Sequence, residues 1–226
     1  MRPKDLKSDF KWETRKPYIK DQVLFVPDYY FEHQLYQMPA LSDVFGNDAP
    51  VTVEFCSGNG DWIIQKALHH PDQNFIAVEM LFERVQKIYS KRENRGIKNL
   101  LIVCGEGLTF SRYYMSDSTL NAVYVNFPDP WPKARHAKHR IIKKEFLSEI
   151  SRVLIGGGAF SIATDDDDYC YEITTLFSSE KDWVSEYDYP YYRTDIADYG
   201  FSFFDALWRE KGKTIKYMKF LSKKDL

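Results

Sequence analysis

The sequence predicts an α/β protein whose core is a doubly wound, mostly parallel β-sheet. Three observations predict this fold. After residue 50, segments rich in β-branched residues alternate with segments of helical periodicity. The strand segments are predominantly apolar, which is typical of strands buried on both faces. A further β-rich segment, residues 213–220, is expected to join the sheet as an antiparallel C-terminal edge strand.

Local signals assign the elements in chain order. The predicted strands are residues 51–56, 74–79, 99–104, 121–126 and 159–164. The predicted helices are residues 61–70, 82–95, a short helix between the third and fourth strands, 138–154 and 166–178. Pro71 stops the first helix, because proline lacks the N–H that a helix interior needs. Gly96 is expected to end the second helix, and the glycines 156–158 the long amphipathic one.

The first fifty residues differ from the rest of the chain. They are rich in Lys, Tyr, Phe and Pro and show no sustained period. We expect residues 1–50 to form an N-terminal extension with one short helix, ending at the turn-prone residues 45–50. Residues 51–226 then form the α/β domain, because 226 residues suffice for one such domain with an extension but are short for two.

The composition excludes several classes of protein. No run approaches the roughly 20 apolar residues of a membrane span, and the N-terminus lacks the apolar stretch of a secretory signal. Cys56, Cys104 and Cys170 are widely spaced, which favours reduced thiols in a cytoplasmic protein over disulfides or a zinc site. The net charge of −2 means that any contact with nucleic acid must be local.

A glycine-rich turn after the first strand is the first candidate ligand site. Glu54 lies near the end of the strand, and Gly58 and Gly60 follow before the helix begins. Ligands of doubly wound sheets bind beyond the carboxyl ends of the strands, where glycines let the backbone approach them. Glu79 closes the next strand, where it would hold both ribose hydroxyls of a nucleoside cofactor. A glycine-rich turn without a ligand has the same pattern, so the signal is weak alone.

Two details favour S-adenosylmethionine over NAD at this turn. The third glycine of the G-x-G-x-x-G pattern is absent, because Ile63 occupies its place. Glu54 would repel a pyrophosphate, whereas it would accept a hydrogen bond from the ammonium group of a methionine moiety. An NAD-dependent oxidoreductase is therefore disfavoured.

Residues 127–133, Phe-Pro-Asp-Pro-Trp-Pro-Lys, follow the fourth strand directly. Their prolines prevent both helix and ladder pairing, so this segment must hold a stiff, extended or turned shape. At the carboxyl end of a central strand it would present the carboxylate of Asp129 and the ring of Trp131 to a ligand. The alternative is a rigid surface turn with a structural tryptophan.

A basic run continues from this segment. Residues 131–144 contain six Lys or Arg and two His, with no acid, in a chain of net charge −2. Such a patch beside a predicted site is typical of contacts with phosphates, with Lys133 and Arg135 nearest the segment. A solvated helix face would have the same composition. His136 and His139 are three residues apart, but no third ligand lies nearby, so we predict no metal.

The segment 127–133, together with Arg135, His136 and Lys138, closely resembles the signature of bacterial tRNA (guanine-N7-)-methyltransferases. Weaker matches occur in the family's order and cover roughly residues 51–220. They are residues 54–60, Glu79, residues 104–106, Thr164 and Asp165 with Tyr169, and Thr214 with Lys219 and Phe220.

The resemblance implies a Rossmann-like class I methyltransferase fold, S-adenosyl-L-methionine as cofactor, and guanosine 46 of the tRNA variable loop as the methylated base. The residues expected to bind the cofactor are Glu54, Gly58, Gly60, Glu79, Glu106 and Asp129. The residues expected to bind the substrate are Lys133, Arg135, His136, Asp165, Thr214 and Tyr217. Asp129 and Asp165 are the expected catalytic residues. The expected protein is a cytoplasmic monomer or homodimer that acts on tRNA without a membrane.

The sequence departs from the family pattern at four positions. Cys56 replaces a glycine, which permits a tight turn if its φ is negative. Glu106 stands where the family usually has Asp, and His139 replaces an Arg, which removes a permanent charge. Tyr217 replaces the Glu of a C-terminal Thr-x-x-Glu pattern, so any contact of this position with guanine must differ.

The chemistry of guanine N7 requires positioning more than acid–base catalysis, because N7 already has an available lone pair. A carboxylate that accepts from N1–H and the N2 amine would orient the base and stabilise the charge that spreads into the purine. Asp129 and Asp165 are the candidates. Capping of the following helix is the alternative role for the acids at 165–168.

Two further functions remain open at this stage. One is a methyltransferase that acts on an amino group of protein, DNA or another RNA, because Asp129-Pro-Trp131 loosely resembles Asp-Pro-Pro-aromatic motifs. The basic run favours a nucleic acid among these substrates. The other is a catalytically silent tRNA-binding subunit, which the departures at Tyr217 and His139 leave open.

Overall fold

A computed structural model describes residues 1–8, 15–27 and 30–224 of the chain. The chain forms two compact units, Met1–Ser116 and Asp117–Leu226. In each unit, helices alternate with strands along the chain and the strands pair side by side, so the predicted α/β class is confirmed.

The first unit has five strands and four α-helices among its described residues. The strands are β1 (Tyr18–Lys20), β2 (Val23–Phe25), β3 (Val51–Phe55), β4 (Asn74–Glu79) and β5 (Leu100–Cys104). The helices are α1 (Leu41–Phe45), α2 (Asp61–His69), α3 (Phe82–Asn94) and α4 (Gly107–Tyr114). The strands lie in the order β1-β2-β5-β4-β3, with β1 antiparallel to β2 and the other pairs parallel.

Burial explains why these segments form the core of the unit. Every residue of β3 and β4 is buried, so both faces of the sheet are covered. Helix α2 buries Trp62 and Ile64, and α3 buries Val85 and Ile88. Helix α3 ends just before Gly96, whose φ of 65° is left-handed, as the sequence predicted.

Two strands that the sequence analysis did not identify, β1 and β2, come from the first fifty residues. The turn between them is held by Arg92 of α3, which is 2% exposed and donates hydrogen bonds to the backbone carbonyls of Asp21 and Gln22. Residues 9–14 and 28–29 of the predicted extension lie outside the described residues. The boundary after residue 50 stays a prediction, although β2 adds to the same sheet as β5.

The second unit has four strands and three α-helices among its described residues. The strands are β6 (Leu120–Asn126), β7 (Leu154–Thr164), β8 (Trp183–Ser185) and β9 (Lys216–Ser222). The helices are α5 (Lys144–Val153), α6 (Asp167–Ser179) and α7 (Phe203–Glu210), and a 3₁₀ helix spans Ala134–His139. The strands lie in the order β6-β7-β9-β8, with β6 and β7 parallel and the other two pairs antiparallel.

The long helix predicted over residues 138–154 is wrong in its first third, because α5 begins only at Lys144. Ile142, just before it, is 1% exposed and donates its backbone N–H to the hydroxyl of Tyr169 at 3.3 Å. Arg140 and Lys143 have extended backbone angles. Tertiary contacts therefore override the helical periodicity at residues 140–143.

The end of the same predicted helix also differs. Strand β7 begins at Leu154, directly after α5, so the glycines at 156–158 lie within a strand and do not cap a helix. Gly158 is packed closely: a Cβ at this position would lie 2.9 Å from the backbone oxygen of Ile155. Gly158 therefore serves the close packing of β7, whereas a Cβ at Gly157 would meet no atom within 4 Å.

The antiparallel pairing predicted for the C-terminal strand is confirmed. Strand β9 pairs with β7, and Ala159 lies opposite Leu221. The three-residue strand β8, which was not predicted, pairs with the other side of β9, so the edge position predicted for the C-terminal strand is taken by β8. A strand this short has too few residues to show a period-2 pattern.

Candidate functional site

The carboxyl ends of β3, β4 and β5 lie at one edge of the first unit's sheet, because these strands run parallel. Glu54 lies one residue before the end of β3, Glu79 is the last residue of β4, and Glu106 follows β5 by two residues. Glu54 and Glu79 are buried, with 2% and 4% of their surface exposed, whereas Glu106 is exposed. The structure thus brings together three acids that the sequence analysis expected to bind the cofactor.

The turn between β3 and α2 has left-handed backbone angles at three positions. The φ values are 57° at Cys56, 55° at Gly58 and 75° at Gly60. A negative φ at Cys56 was the condition for a tight turn in the sequence analysis, and that expectation is wrong. The backbone N–H of Ser57 donates to the carbonyl of Val78 at 3.1 Å, which bends the chain towards β4 directly after Cys56. Cys56 therefore adopts a conformation that favours glycine.

Glu79 organises this turn through its carboxylate. Its Oε2 accepts the backbone N–H of Gly58 at 2.9 Å, and its Oε1 accepts that of Leu81 at 2.9 Å. The guanidinium of Arg84 lies 3.7 Å from Oε2. A buried carboxylate with this support joins the end of β4 to the glycine turn and fixes both.

Glu106 caps helix α4. Its two carboxylate oxygens accept the backbone N–H groups of Leu108 at 3.0 Å and Thr109 at 2.6 Å. These bonds satisfy two N–H groups that the first turn of a helix cannot pair internally. The Glu that replaces the usual Asp is thus long enough to complete the cap.

Burial, followed by the charges of these acids, makes the thiol of Cys56 a weaker acid than an ordinary cysteine by raising its pKa. Cys56 is exposed on one side of the turn, but the protein atoms around its sulfur displace water, and the charges of Glu79 and Glu54 add to that effect. Together they raise the pKa of the Cys56 thiol to about 12. The thiol therefore stays protonated at neutral pH, and the carboxylates are the anionic groups of the turn.

Three segments meet at one edge of the second unit's sheet. Strands β6 and β7 are parallel and end together, and antiparallel β9 begins opposite the end of β7. The segment after β6 carries Asp129, Asp165 follows β7, and Thr214 precedes β9. Thr214 is exposed at this edge. The structure thus brings together three of the residues expected to contact the substrate.

The segment after β6 has the stiff, turned shape that its prolines predicted. The backbone N–H of Phe127 donates to the carbonyl of Ala163 at 2.8 Å, which anchors the segment beside β7. Asp129 is exposed, and its Oδ1 accepts the backbone N–H of Trp131 at 3.0 Å. Phe127 and Trp131 both have left-handed φ angles, of 53° and 43°. Such angles persist only where surrounding contacts hold them.

Lys133 and Arg135 are exposed after this turn, on the 3₁₀ helix and the residue before it. His136 is half-buried, and its ring centroid lies 5.7 Å from that of Trp131 in an edge-to-face arrangement. His139 packs on the same indole at 5.3 Å. The run therefore presents exposed cations around an aromatic centre, an arrangement suited to phosphates and bases.

Asp165 and Asp166 have different surroundings at the start of α6. Asp166 is the N-cap, and its Oδ1 accepts the backbone N–H of Tyr169 at 2.8 Å, so the expected capping is confirmed for this residue. Asp165 is half-buried, and burial raises the pKa of its carboxyl, opposed by the charges of Lys213 and Lys216. Asp165 is thus an acid held at the edge of the sheet and not the cap.

Tyr217 lies in β9 and is only 3% exposed. Its hydroxyl bonds to the carboxylate of Asp205 and lies 3.1 Å from Nη2 of Arg209, both on α7. Its ring packs on Tyr199 at 4.6 Å between centroids. Burial, followed by the contact with Asp205, raises the pKa of the Tyr217 hydroxyl to about 12. A direct contact of Tyr217 with the substrate stays a prediction. In this structure its hydroxyl contacts Asp205 and Arg209.

Asp205, Arg209 and Tyr199 were not found by the sequence analysis. Helix α7, which carries Asp205 and Arg209, has no fully buried residue, and it was not assigned as a helix. The spacing of Arg209 four residues after Asp205 is a signal that could have identified it. Tyr199 donates its hydroxyl to Oδ1 of Asn126 at 2.5 Å, a contact across 73 residues that no local pattern reveals.

Two kinds of feature are missing from the described part of the chain. No helix there is long and apolar enough to cross a membrane. Across residues 1–8, 15–27 and 30–224, no group of three or more His, Cys, Asp and Glu side chains is arranged to hold a metal ion.

Solved structures with similar folds are methyltransferases. The 16S rRNA methyltransferase KamB has a TM-score of 0.60 at 14% identity, over 83% of this chain and 95% of that chain. The aminoglycoside resistance methyltransferase NpmB1 has a TM-score of 0.56 at 15% identity, over the same shares. At these identities the likeness shows the fold alone, which is the predicted Rossmann-like class I methyltransferase fold.

Sequence comparisons identify the family. A family model described as "Putative methyltransferase" matches residues 48–218. A tRNA (guanine-N(7)-)-methyltransferase of Chlamydia abortus is 45% identical over 223 residues, 99% of each chain. A protein of the same name from Rubrobacter xylanophilus is 30% identical over 187 residues, 81% of this chain and 82% of that protein. The chain belongs to the tRNA (guanine-N(7)-)-methyltransferase family.

Proposed function

We propose that this protein transfers the methyl group of S-adenosyl-L-methionine to N7 of guanine in tRNA, at guanosine 46 of the variable loop. The observation that carries the proposal is the exposed carboxylate of Asp129, held in a fixed turn beyond the carboxyl end of β6. The match to tRNA (guanine-N(7)-)-methyltransferases over 99% of the chain supports the same reaction and substrate. Family membership disfavours an NAD-dependent oxidoreductase.

The residues that would hold the cofactor are Glu54, Gly58, Gly60, Glu79, Glu106 and Asp129. Their chemistry fits S-adenosylmethionine, which offers an ammonium group, two ribose hydroxyls and an adenine amine as hydrogen-bond donors. When bound, the cofactor supplies an electrophilic methyl group on its sulfonium.

Glu79 illustrates this fit. Each of its carboxylate oxygens accepts one backbone N–H and retains a further lone pair, which suits the two hydroxyls of a ribose. Glu54 is buried beside the glycine turn, where a carboxylate favours a cationic ammonium and disfavours a pyrophosphate. Gly58 and Gly60 adopt the left-handed angles of this turn without the strain that a side chain would add.

Asp129 and Asp165 would act on the guanine. Their carboxylates accept hydrogen bonds from N1–H and the N2 amine, which orients N7 for in-line attack on the methyl group. The same negative charges stabilise the positive charge that develops on the purine as N7 is alkylated. No general base is required, because the reacting nitrogen carries an available lone pair.

Lys133, Arg135, His136 and Thr214 would hold the RNA around the target base. Lys133 and Arg135 are exposed and carry the charge that phosphate contacts need. The ring of His136, edge-on to Trp131, stands beside an aromatic surface on which an unstacked base can lie. Tyr217 lies in β9 near the same edge of the sheet. We propose that it contributes to substrate binding indirectly, by holding Asp205.

The proposed activity implies a cytoplasmic protein, because that is where tRNA is available to it. A monomer and a homodimer both remain compatible with the proposal.

A methyl-transfer assay tests the proposed function. The protein is incubated with labelled S-adenosylmethionine and unmodified tRNA transcript, and the product is mapped by mass spectrometry of nuclease fragments. We expect one N7-methylguanosine in the variable loop and no transfer to a transcript in which guanosine 46 is replaced by adenosine. Transfer elsewhere would overturn the assigned position. Binding of tRNA and cofactor without transfer would favour the silent tRNA-binding subunit.

A further inference from the structure

Arg140 belongs to the basic run by sequence but differs from its neighbours in burial. Its side chain is 14% exposed, whereas Lys133, Arg135 and Lys138 are exposed. A phosphate contact needs a cation that can reach the RNA, and a guanidinium covered by its own protein cannot do so readily. The sequence pattern alone does not separate these two kinds of basic residue.

The guanidinium of Arg140 contacts both the turn and helix α6. Its Nε donates to the carbonyl of Pro130 at 2.7 Å, and its Nη2 donates to the carbonyl of Trp131 at 3.3 Å. Its Nη1 forms an ion pair with Glu172 of α6. Its Cζ lies over the ring of Tyr169, on the same helix, 5.1 Å from the ring centroid.

These contacts hold the two segments that carry the carboxylates of the proposed guanine site, the turn of Asp129 and the helix that follows Asp165. The Pro130 and Trp131 carbonyls belong to the turn in which the Trp131 N–H bonds to Asp129, and Trp131 has a left-handed φ of 43°. Helix α6, which holds the other side of the guanidinium, begins two residues after Asp165. One rigid, planar group thus connects the turn of Asp129 to the helix that follows Asp165.

We propose that Arg140 is a positioning residue, which fixes the Asp129 turn against α6 and makes no phosphate contact with the RNA. The fork of the guanidinium is essential to this role, because two carbonyls and a carboxylate are held in different directions at once. A lysine ammonium on a flexible stem cannot reproduce that geometry. The kinetic part of this inference rests on the proposed function.

The test compares Arg140→Lys, which keeps the charge, with Lys133→Ala, which removes an exposed cation. For each variant, kcat and KM for unmodified tRNA are measured, and tRNA affinity is followed against salt concentration. For Arg140→Lys we expect kcat to fall by at least about tenfold, with KM within about twofold and an unchanged salt slope. For Lys133→Ala we expect a raised KM and a salt slope reduced by about 1.

A second readout needs no activity. Hydrogen exchange of the backbone amides in residues 127–136, followed by mass spectrometry, reports the order of the turn directly. We expect faster exchange in Arg140→Lys than in the unmodified protein and no change in Lys133→Ala. If the unmodified protein transfers no methyl group to tRNA, the proposed function fails, and the exchange comparison still decides the role of Arg140.

Glu172→Ala provides a variant with low risk to folding, because the Glu172 side chain is 48% exposed. It removes one anchor of the guanidinium, so we expect a smaller loss of kcat and a smaller rise in exchange than in Arg140→Lys. The proposal is overturned if Arg140→Lys retains kcat and raises KM for tRNA. Unchanged hydrogen exchange of residues 127–136 in both Arg140→Lys and Glu172→Ala would overturn it as well.

Discussion

Asp129 accepts a hydrogen bond at 3.0 Å from the backbone N–H of Trp131, two residues further along the chain. The bond fixes the direction of an exposed carboxylate that would otherwise rotate freely in solvent. Because prolines flank Asp129 on both sides, the backbone that supports the bond is stiff as well. Asp129 therefore combines exposure to a ligand with a single orientation, which is the preorganisation that an electrostatic role requires.

The first prediction concerns Asp129→Asn. The amide oxygen can still accept the Trp131 N–H, so the turn should survive while the negative charge is lost. We expect kcat for methyl transfer to fall by about 10²-fold, with folding close to that of the unmodified protein and a smaller loss of cofactor affinity, because the amide oxygen still accepts a hydrogen bond. Single-turnover kinetics, thermal unfolding and calorimetric titration with S-adenosylmethionine check the three parts. Full turnover with normal binding of both ligands would contradict the proposed mechanism.

The second prediction concerns pH and Asp165. The carboxyl must be ionised to accept from guanine, and burial raises its pKa. The rate should therefore decline, as pH falls, at a higher pH than an exposed aspartate would cause. In Asp165→Asn we expect a lower rate whose acid limb is lost or displaced. Persistence of the same acid limb in that variant would assign it to another group.

Asp165 also has a predicted effect on stability. Because its pKa is raised in the folded state, the folded protein binds this proton more tightly than the unfolded chain does. Its contribution to stability therefore improves as pH falls through the folded pKa and is unfavourable at neutral pH. Asp165→Asn should melt at the same temperature as the unmodified protein or higher at neutral pH, in contrast to most changes at half-buried positions. A clear loss in melting temperature would show that the carboxylate is structurally required.

The third prediction compares two glycines. Gly60→Ala places a Cβ 2.8 Å from Cγ1 of Ile88 at a φ of 75°, whereas Gly96→Ala meets no atom within 4 Å at a φ of 65°. Backbone strain is common to both, and overpacking adds only at Gly60. We expect losses of about 2–4 kcal/mol for Gly60→Ala and about 1 kcal/mol for Gly96→Ala in the free energy of unfolding. Equal losses in urea denaturation would mean that Ile88 moves aside.

The fourth prediction concerns Tyr217→Phe. The change removes a hydroxyl bonded to Asp205 and leaves the ring packing in place. We expect the free energy of unfolding to fall by about 1–2 kcal/mol, because a hydrogen bond to a charged group is lost. The exposed Tyr171 provides the control, and Tyr171→Phe should leave stability unchanged. A raised KM for tRNA without loss of stability would instead indicate direct contact of the Tyr217 hydroxyl with the substrate.

Long, buried elements were predictable from the sequence. Strand β4 has the predicted bounds, Asn74–Glu79, because all six residues are buried and turn signals flank them. The first part of the site was accessible for the same reason: Glu54 and Glu79 lie near the ends of regular strands, and parallel strands bring their ends to one edge.

Features that depend on distant contacts were not predictable. Helix α5 starts late because Ile142 and Arg140 bond to side chains and carbonyls elsewhere in the unit. The partner of Tyr217 lies on α7, and nothing in the local pattern around Tyr217 indicates it. The left-handed φ of Cys56 reverses a local steric preference, because a neighbouring strand captures the next amide.

The pairing of β2 with β5 has a consequence for any shortened form of the protein. Within the first unit, β2 and β1 occupy the outer positions beside β5, so they complete the hydrogen bonds of that strand. A chain that began at residue 51 would leave the main-chain amides and carbonyls along one side of β5 without partners. An apolar strand with such a bare edge is a template for other chains, and the shortened protein should self-associate. The N-terminal strands thus cover the edge of β5 and protect the protein from intermolecular strand pairing, whatever their part in methyl transfer.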